Sequence, residues 1–363
     1  MTRGEFIQAL VPARLLDGNV YEVPDSTGMI KLDAMENPYI WPADLWGDLA
    51  NQLATCSLNR YPDPQVRAVR EPLRNWMEIP ESLDLLFGNG SDEIIALLIS
   101  SLIGSGRSVC APDPSFVMFR VLANQYSVPF KGLPLDKLFD VDLEAWTECL
   151  NESDPAIIFI PQPNNPTGNL FSKDRLERVI KSTRALVVVD EAYTAFTDAD
   201  CLDWANTYPN VMVMRTLSKV GLAGSRFGIL IGHTDWIREF DKIRLPYNIN
   251  CFSQSAVQFA LEHSDVLEKQ SKKIKDERGR LANELRNRGL GVWPSEANFL
   301  AVQCDSGQAR TLFEGLKARG VLVKCLDGSH PRLADTLRIT VGTSFESDAL
   351  LNALDQLAAE LGR

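Results

Sequence analysis

Histidine is scarce. The 363-residue chain has three, His233, His263 and His330, and none stands at HExxH or another ligand spacing. A catalytic metal centre is therefore not expected. Cysteine pairing is missing too: Cys56, Cys110, Cys149, Cys201, Cys251, Cys304 and Cys325 are scattered, with no CxxC. A chain this long needs no disulfide staples, so they read as reduced thiols of a cytosolic protein. Positive charge is short: 37 Lys and Arg against 48 Asp and Glu leave a net charge of -11. Phosphate-backbone contacts need a basic surface, which argues against nucleic acid as the partner. A local cluster of donors can still hold a small anion. Long apolar runs are absent as well. The longest, "IIALLISSLIG" from Ile94, is too short to span a bilayer and is broken by serines. The opening "MTRGEFIQALVPARLLDG" lacks the apolar core of a signal peptide. A soluble cytoplasmic protein with no membrane partner is the expectation.

What is present is ordinary globular material, with 45% hydrophobic and 23% charged residues. The length suggests one large domain and a smaller one. Short apolar runs, "SVCAPD" (108–113), "AIIFIPQ" (156–162), "ALVVVDEAY" (185–193), "VMVMRTLSK" (211–219) and "FGILIG" (227–232), read as buried strands. Helical patterns such as "SDEIIALLISSLIG", "SFVMFRVLANQYS" and "SKDRLERVIKSTR" lie between several of them. That alternation predicts an α/β fold with a mostly parallel central sheet covered by helices on both faces. "FGILIG" follows "VMVMR" too closely for a helical crossover, so that pair is expected to be antiparallel. After Cys251 the pattern changes to a long polar helix over 253–288, strands at "NFLAVQC", "VLVKCL" and "TLRITVG", and a last helix from Ser347. This reads as a smaller α+β C-terminal domain. The expected division is an N-terminal segment 1–40, a large domain 41–252 and a small domain 253–363. Residues 1–40 give no clear element.

Ligands of open α/β sheets bind at the carboxyl ends of the strands. Asn164 and Asn165 follow "IIFI"; Asp190, Glu191 and Tyr193 follow "LVVV"; Arg215, Thr216, Ser218 and Lys219 follow "VMVM". If these strands are neighbours, Asn165, Asp190, Tyr193, Ser218 and Lys219 share one rim. Singly, each is an ordinary turn, cap or surface residue; together they are far less probable by chance. "LLFGNGSDEIIALLI" (85–99) adds a glycine-rich turn that enters a helix near Ser91, a place where free N–H groups and the helix dipole favour an anion. Glu93 occupies the third glycine position of GxGxxG, so a dinucleotide fingerprint is disfavoured.

The set "KLDAMENPY", "NRYPDP", "GNGSDEII", "PSFVMF", "PNNPTG", "VVVDEAY", "TLSKVGLAGSRFG" and "LRITVGT" runs through nearly the whole chain. It resembles the fold-type-I pyridoxal-phosphate-dependent transferases and, within them, the histidinol-phosphate aminotransferases. The resemblance implies pyridoxal 5'-phosphate as cofactor, histidinol phosphate and 2-oxoglutarate or glutamate as substrates, and a homodimer with shared active sites. Catalysis is implied for Lys219, Asp190 and Tyr193. Lys219 would bind the cofactor aldehyde and later move a proton. Asp190 would face the pyridine nitrogen, and Asn165 with Tyr193 would bond the ring's 3-oxygen. Ser91, Asp92, Ser218 and Arg226 would hold the phosphate, Phe116 would stack on the ring, and Tyr61 would arrive from the other subunit. Arg338 would pair with the substrate anion, with Lys324 beside it and Tyr21 and Asn37 folded over the site. The N-terminal segment is expected to cover that site.

Three departures from the family pattern stand out. Phe116 occupies a position that many members fill with tyrosine. The Lys219–Arg226 spacing is one residue shorter than usual. Lys324 stands where many members have a second arginine, a point charge in place of a fork. Aromatic aminotransferases and threonine-phosphate decarboxylases share the cofactor residues and are the alternatives. A ligand-sensing regulator lacks a basic DNA-binding segment here, and a nicotinamide dehydrogenase lacks its glycine fingerprint.

Overall fold

The computed structural model describes residues 1–16 and 23–360. After a helix at Arg3–Leu10 and a turn of helix at Ala13–Leu16 comes the short strand β1 (Ile30–Lys31). Seven strands then build the large sheet: β2 (Leu83–Asn89), β3 (Val109–Asp113), β4 (Phe130–Pro134), β5 (Ile157–Pro161), β6 (Leu186–Asp190), β7 (Val211–Thr216) and β8 (Phe227–His233). Their order is β2-β8-β7-β6-β5-β3-β4. β3 through β7 pair in parallel, and β8 runs antiparallel to both β7 and β2.

The apolar runs dictate this layer. Every residue of β5 and β6 is buried, which only a sheet covered on both faces provides. Alternate side chains feed opposite faces, as a period of two demands. Ile158, Ile160, Val187 and Val189 join one core cluster. Ile157, Phe159, Leu186 and Val188 join another, with Ile94, Ile95 and Leu98 of the helix Ser91–Ser100.

The C-terminal part has its own sheet and core. β9 (Gly291–Val292), β10 (Phe299–Gln303), β12 (Lys324–Cys325) and β13 (Thr336–Thr340) form an antiparallel sheet ordered β12-β13-β10-β9. β11 (Val321–Leu322) instead pairs in parallel with β1. "VLVKCL" thus splits into two strands serving different partners, where one strand was expected. The pairing also carries Leu32 into the C-terminal core, alongside Leu285, Leu300 and Leu350.

The expected helix over 253–288 is two helices, Cys251–Glu262 and Ser264–Asn287, separated at His263 with non-helical φ -122° and ψ 35°. The first buries Val257, Phe259 and Ala260 and packs on the helices Trp46–Ala54 and Arg67–Trp76; the second buries Leu281 and Leu285 in the C-terminal core. One straight rod does not serve both surfaces, and no proline or glycine announces the break. The last helix begins at Ser344, three residues before its expected start.

Two arginines clip the C-terminal part to the segments that follow β4 and β6. Arg332 donates to the Leu135 carbonyl at 2.7 Å and lies 4.1 Å over the Phe139 ring. Arg278 donates to the carbonyls of Phe196 at 3.0 Å and Ala297 at 2.9 Å. Among the described residues no helix is long and apolar enough to cross a membrane.

Leu32 is 1% exposed and joins the N-terminal segment to the C-terminal core. Leu32→Ala is expected to destabilise the protein by about 2–5 kcal/mol through lost burial and a residual cavity. Urea unfolding measures this; an unchanged midpoint refutes that placement.

Candidate active site

The parallel strands deliver their polar ends to one cavity. Asn165 follows β5, Asp190 and Tyr193 end and follow β6, and Thr216, Ser218 and Lys219 end and follow β7; all line it. Ser91 and Asp92 enter from the helix behind β2, Phe116 from the loop after β3, and Arg226 from the turn before β8. Of the ten cofactor residues expected from sequence, nine therefore meet here. Tyr61 does not: it is 80% exposed and stacks on Tyr247 at 4.5 Å.

Burial sets the electrostatics. Asp190 accepts the Ala192 N–H at 3.1 Å. Its carboxyl is pushed up to about 7, first by burial and then by Asp92 and Glu191, against the pull of Lys219. Burial, with the positive charge of Arg338, brings the Lys219 ammonium down to about 8. Lys219 Nζ donates to the Ala34 carbonyl at 3.2 Å. Burial also raises the Tyr193 phenol, so it stays a hydroxyl near neutral pH, 3.1 Å from Asn165 Nδ2. Beneath the site the buried Arg215 guanidinium pairs with Glu191 at 2.8 Å and reaches Asp200 at 3.1 Å. That pair ties the end of β7 to the end of β6.

One corner is a nest of close backbone. A Cβ on Gly228 would fall 2.5 Å from the Gly90 carbonyl carbon and 2.7 Å from the Ser91 nitrogen. Gly90 has φ +83°, a conformation that suits glycine, and a Cβ there would meet Arg226 Nη2 at 2.5 Å. The Arg226 guanidinium reaches Ser218 Oγ at 3.5 Å and Asp92 Oδ2 at 3.4 Å. Glycines, a helix N-terminus, a hydroxyl and a guanidinium together make a cradle for a phosphate.

A second cleft opens beyond Phe116 and Asn165, with Lys324 and Arg338 among its walls. Arg338 donates to Asn165 Oδ1 at 2.7 Å and to the Asp33 carbonyl at 2.9 Å, so the two cavities share a wall. Asn37 lines neither cavity: its Nδ2 donates to the Val220 carbonyl at 2.7 Å and to Gln270 Oε1 at 2.9 Å. It braces the backbone next to Lys219, where direct substrate contact was expected. Tyr21 lies outside the described residues. Sequence reasoning missed Met35 and the Asp113–Arg120–His330 group, and it noted Thr216 at a strand end without assigning it to the site. Asp113 ends β3 and was within reach of the strand-end rule. His330 carries no local signal, because only folding brings it to the cleft.

The chain belongs to the class I and II aminotransferase family, whose model matches residues 27–354. Within that family its similarity is to histidinol-phosphate aminotransferases. It is 44% identical to histidinol-phosphate aminotransferase 2 of Nitrosococcus oceani, over 93% of this chain and 94% of that one. Identity is 42% with histidinol-phosphate aminotransferase 1 of Burkholderia lata, over 96% and 97%. The histidinol-phosphate aminotransferase of Sinorhizobium meliloti, solved with pyridoxal-5'-phosphate, superposes with a TM-score of 0.86 over 97% of this chain and 98% of that one. At 22% identity that likeness shows the shared fold. The cavity fits such a cofactor on its own terms. A buried carboxyl faces a buried lysine across a space bordered by an aromatic ring, and a phosphate cradle closes one end.

Asp190 gives a pH signature. The folded carboxyl titrates near 7 and an ordinary aspartate near 3.8, so between those values the fold holds a proton that the unfolded chain has released. The contribution to stability is full below about pH 4 and is lost as pH rises through 7. Cofactor-free Asp190→Asn is expected to exceed the cofactor-free wild type by on the order of 2–4 kcal/mol above pH 7, with a much smaller gap at pH 4. Urea titrations at the two pH values check this; a gap independent of pH refutes it.

Proposed function

We propose that the protein transfers the amino group of L-histidinol phosphate to 2-oxoglutarate, reversibly giving imidazole acetol phosphate and L-glutamate, as a step of histidine biosynthesis in the cytoplasm. The carrying observation is the Arg338–Asn165 hydrogen bond, which joins a cavity built for pyridoxal phosphate to a cleft built for an anion. The substrate choice follows the names of the relatives at 42–44% identity.

Pyridoxal phosphate, when bound, supplies the aldehyde and the electron sink that make the amino-bearing carbon acidic. Lys219 would hold the aldehyde and would move the proton at that carbon; an amine drawn down to about 8 releases and accepts protons near neutral pH. Asp190 would face the pyridine nitrogen, where its negative charge would keep that nitrogen protonated and the ring able to take up electrons. Asn165 and Tyr193 would donate to the ring's 3-oxygen. Ser91, Asp92, Ser218 and Arg226 would hold the phosphate, and Phe116 would stack on the ring. Arg338 takes the phosphate of one substrate and a carboxylate of the other, and Lys324 adds charge.

Tyr61 belongs to the same reading through a second copy. Among the described residues, Tyr61, Leu58 and Leu245 stand 72–80% exposed, too large and apolar a set to leave bare. A homodimer that seats them supplies Tyr61 to the partner's phosphate cradle.

In a panel of histidinol phosphate, histidine, phenylalanine, tyrosine, aspartate and threonine phosphate with 2-oxoglutarate, histidinol phosphate is expected to give the highest kcat/KM. Lys219→Ala is expected to lose this turnover by many orders of magnitude. A win for phenylalanine or tyrosine makes the protein an aromatic aminotransferase instead.

Mixing Lys219→Ala chains with Tyr61→Ala chains is expected to restore activity above that of either parent, because each mixed dimer regains one intact site. Light scattering that shows a monomer, or mixing that restores nothing, ends the shared-site reading.

A further inference from the structure

Beyond Arg338 the anion cleft, about 700 Å³ in volume, runs outward to His330. This histidine precedes the short helix Pro331–Leu333, and its Nδ1 accepts the backbone N–H of Arg332 at 3.1 Å. A ring nitrogen that accepts carries no proton, so the neutral imidazole bears its hydrogen on Nε2. Nε2 stands 3.9 Å from Asp113 Oδ1, beyond hydrogen-bond length. The Asp113 carboxylate is held elsewhere: Arg120 grips Oδ2 at 2.6 Å while lying 4.7 Å over the Phe130 ring. Gly132 leaves it room, since a Cβ there would come within 2.7 Å of the same oxygen. Burial lowers the proton affinity of His330; Asp113 opposes that, and Arg332 and Arg120 add to it. His330 thus lines the cleft beside Lys324 and Arg338 with its Nδ1 occupied, so its one remaining polar group there is the Nε2–H, a donor 3.9 Å from the Asp113 carboxylate.

The Asp113 carboxylate also lines this cleft, with its charge offset by Arg120, and the donors beside it select by the number of acceptors a ligand brings. A guanidinium fork uses both oxygens of a carboxylate. A phosphate monoester brings three terminal oxygens and more charge, so one remains for a further donor. We propose that His330 is a specificity-determining residue whose Nε2–H bonds the phosphate of the amino donor, separating phosphorylated donors from plain amino acids. The inference rests on the transamination reading above and assigns a residue to its phosphate end.

The test compares holoenzyme half-reactions with L-histidinol phosphate, L-histidinol and L-glutamate. In His330→Ala and His330→Phe, the second of which keeps ring bulk without a donor, kcat/KM for histidinol phosphate should fall roughly tenfold to a hundredfold further than for histidinol or glutamate. The Kd of histidinol phosphate for the cofactor-loaded Lys219→Ala protein should weaken similarly when either change is added. His330→Gln, which keeps an N–H, should retain most of the preference. If His330→Ala does not fold, His330→Phe decides. Equal losses on histidinol phosphate and histidinol would show that His330 reads the imidazole or the cleft shape, and would overturn the proposal, as would no loss at all. Should the wild type not turn over histidinol phosphate, the function fails on its own. His330 is then judged by O-phospho-L-threonine against L-threonine, where the same loss of preference supports it and none refutes it.

Discussion

Desolvation of Asp190 and Lys219 is the constraint on which the rest of the site depends. Water would return both groups to their ordinary titration ranges and remove the reason for placing them together. Keeping water out requires β5, β6 and β7 to be buried on both faces, which in turn requires helices over the whole sheet. The Arg215–Glu191 pair serves the same end. It fills a space under the strand ends that would otherwise hydrate, and it fixes the β6 and β7 termini with a charge pair that is itself nearly inaccessible. Such a pair is weak evidence for stability, because desolvation offsets much of its attraction. Its value here is that it holds two backbones at one separation.

Strand ends were legible in the sequence because two simple rules act there. Continuous apolar runs mark fully buried strands, and several neighbouring runs that each end in polar residues put those residues on one rim, where a ligand binds. Asn165, Asp190, Tyr193, Ser218 and Lys219 follow both rules. The helix break at His263 was hidden because apolar periodicity continues across it, while the surfaces that bend the chain are distant in sequence. β1 was hidden because two residues carry no period and their partner β11 lies roughly three hundred positions away. Asn37 was read as a substrate contact from the resemblance alone; in the fold its amide is taken up by Val220 and Gln270. Asp113 and His330 meet only because Arg332 and its neighbours pack the C-terminal part against β3 and β4.

The two cavities divide the chemical labour unequally. One corner of the inner one abuts close-packed backbone: at the Gly90–Gly228 contact there is no room for even a methyl group. The outer one is walled by side chains from both parts of the molecule. Variation in substrate choice is therefore easier to accommodate in the outer cleft. The departures at Phe116 and Lys324 both lie on its wall.

The segment from Leu32 to Met35 has a consequence of its own. The Asp33 carbonyl holds Arg338, the next carbonyl, of Ala34, holds Lys219, and Leu32 is anchored in the C-terminal core. Two consecutive peptide groups thus connect Arg338 to Lys219. An anion that draws Arg338 away from its carbonyl alters the same short stretch that restrains the lysine. Thermodynamic reciprocity then requires that a change in the lysine's bonding alter the affinity for the anion by the same factor. The tightness of anion binding and the freedom of the lysine are linked quantities, and either can be read through the other.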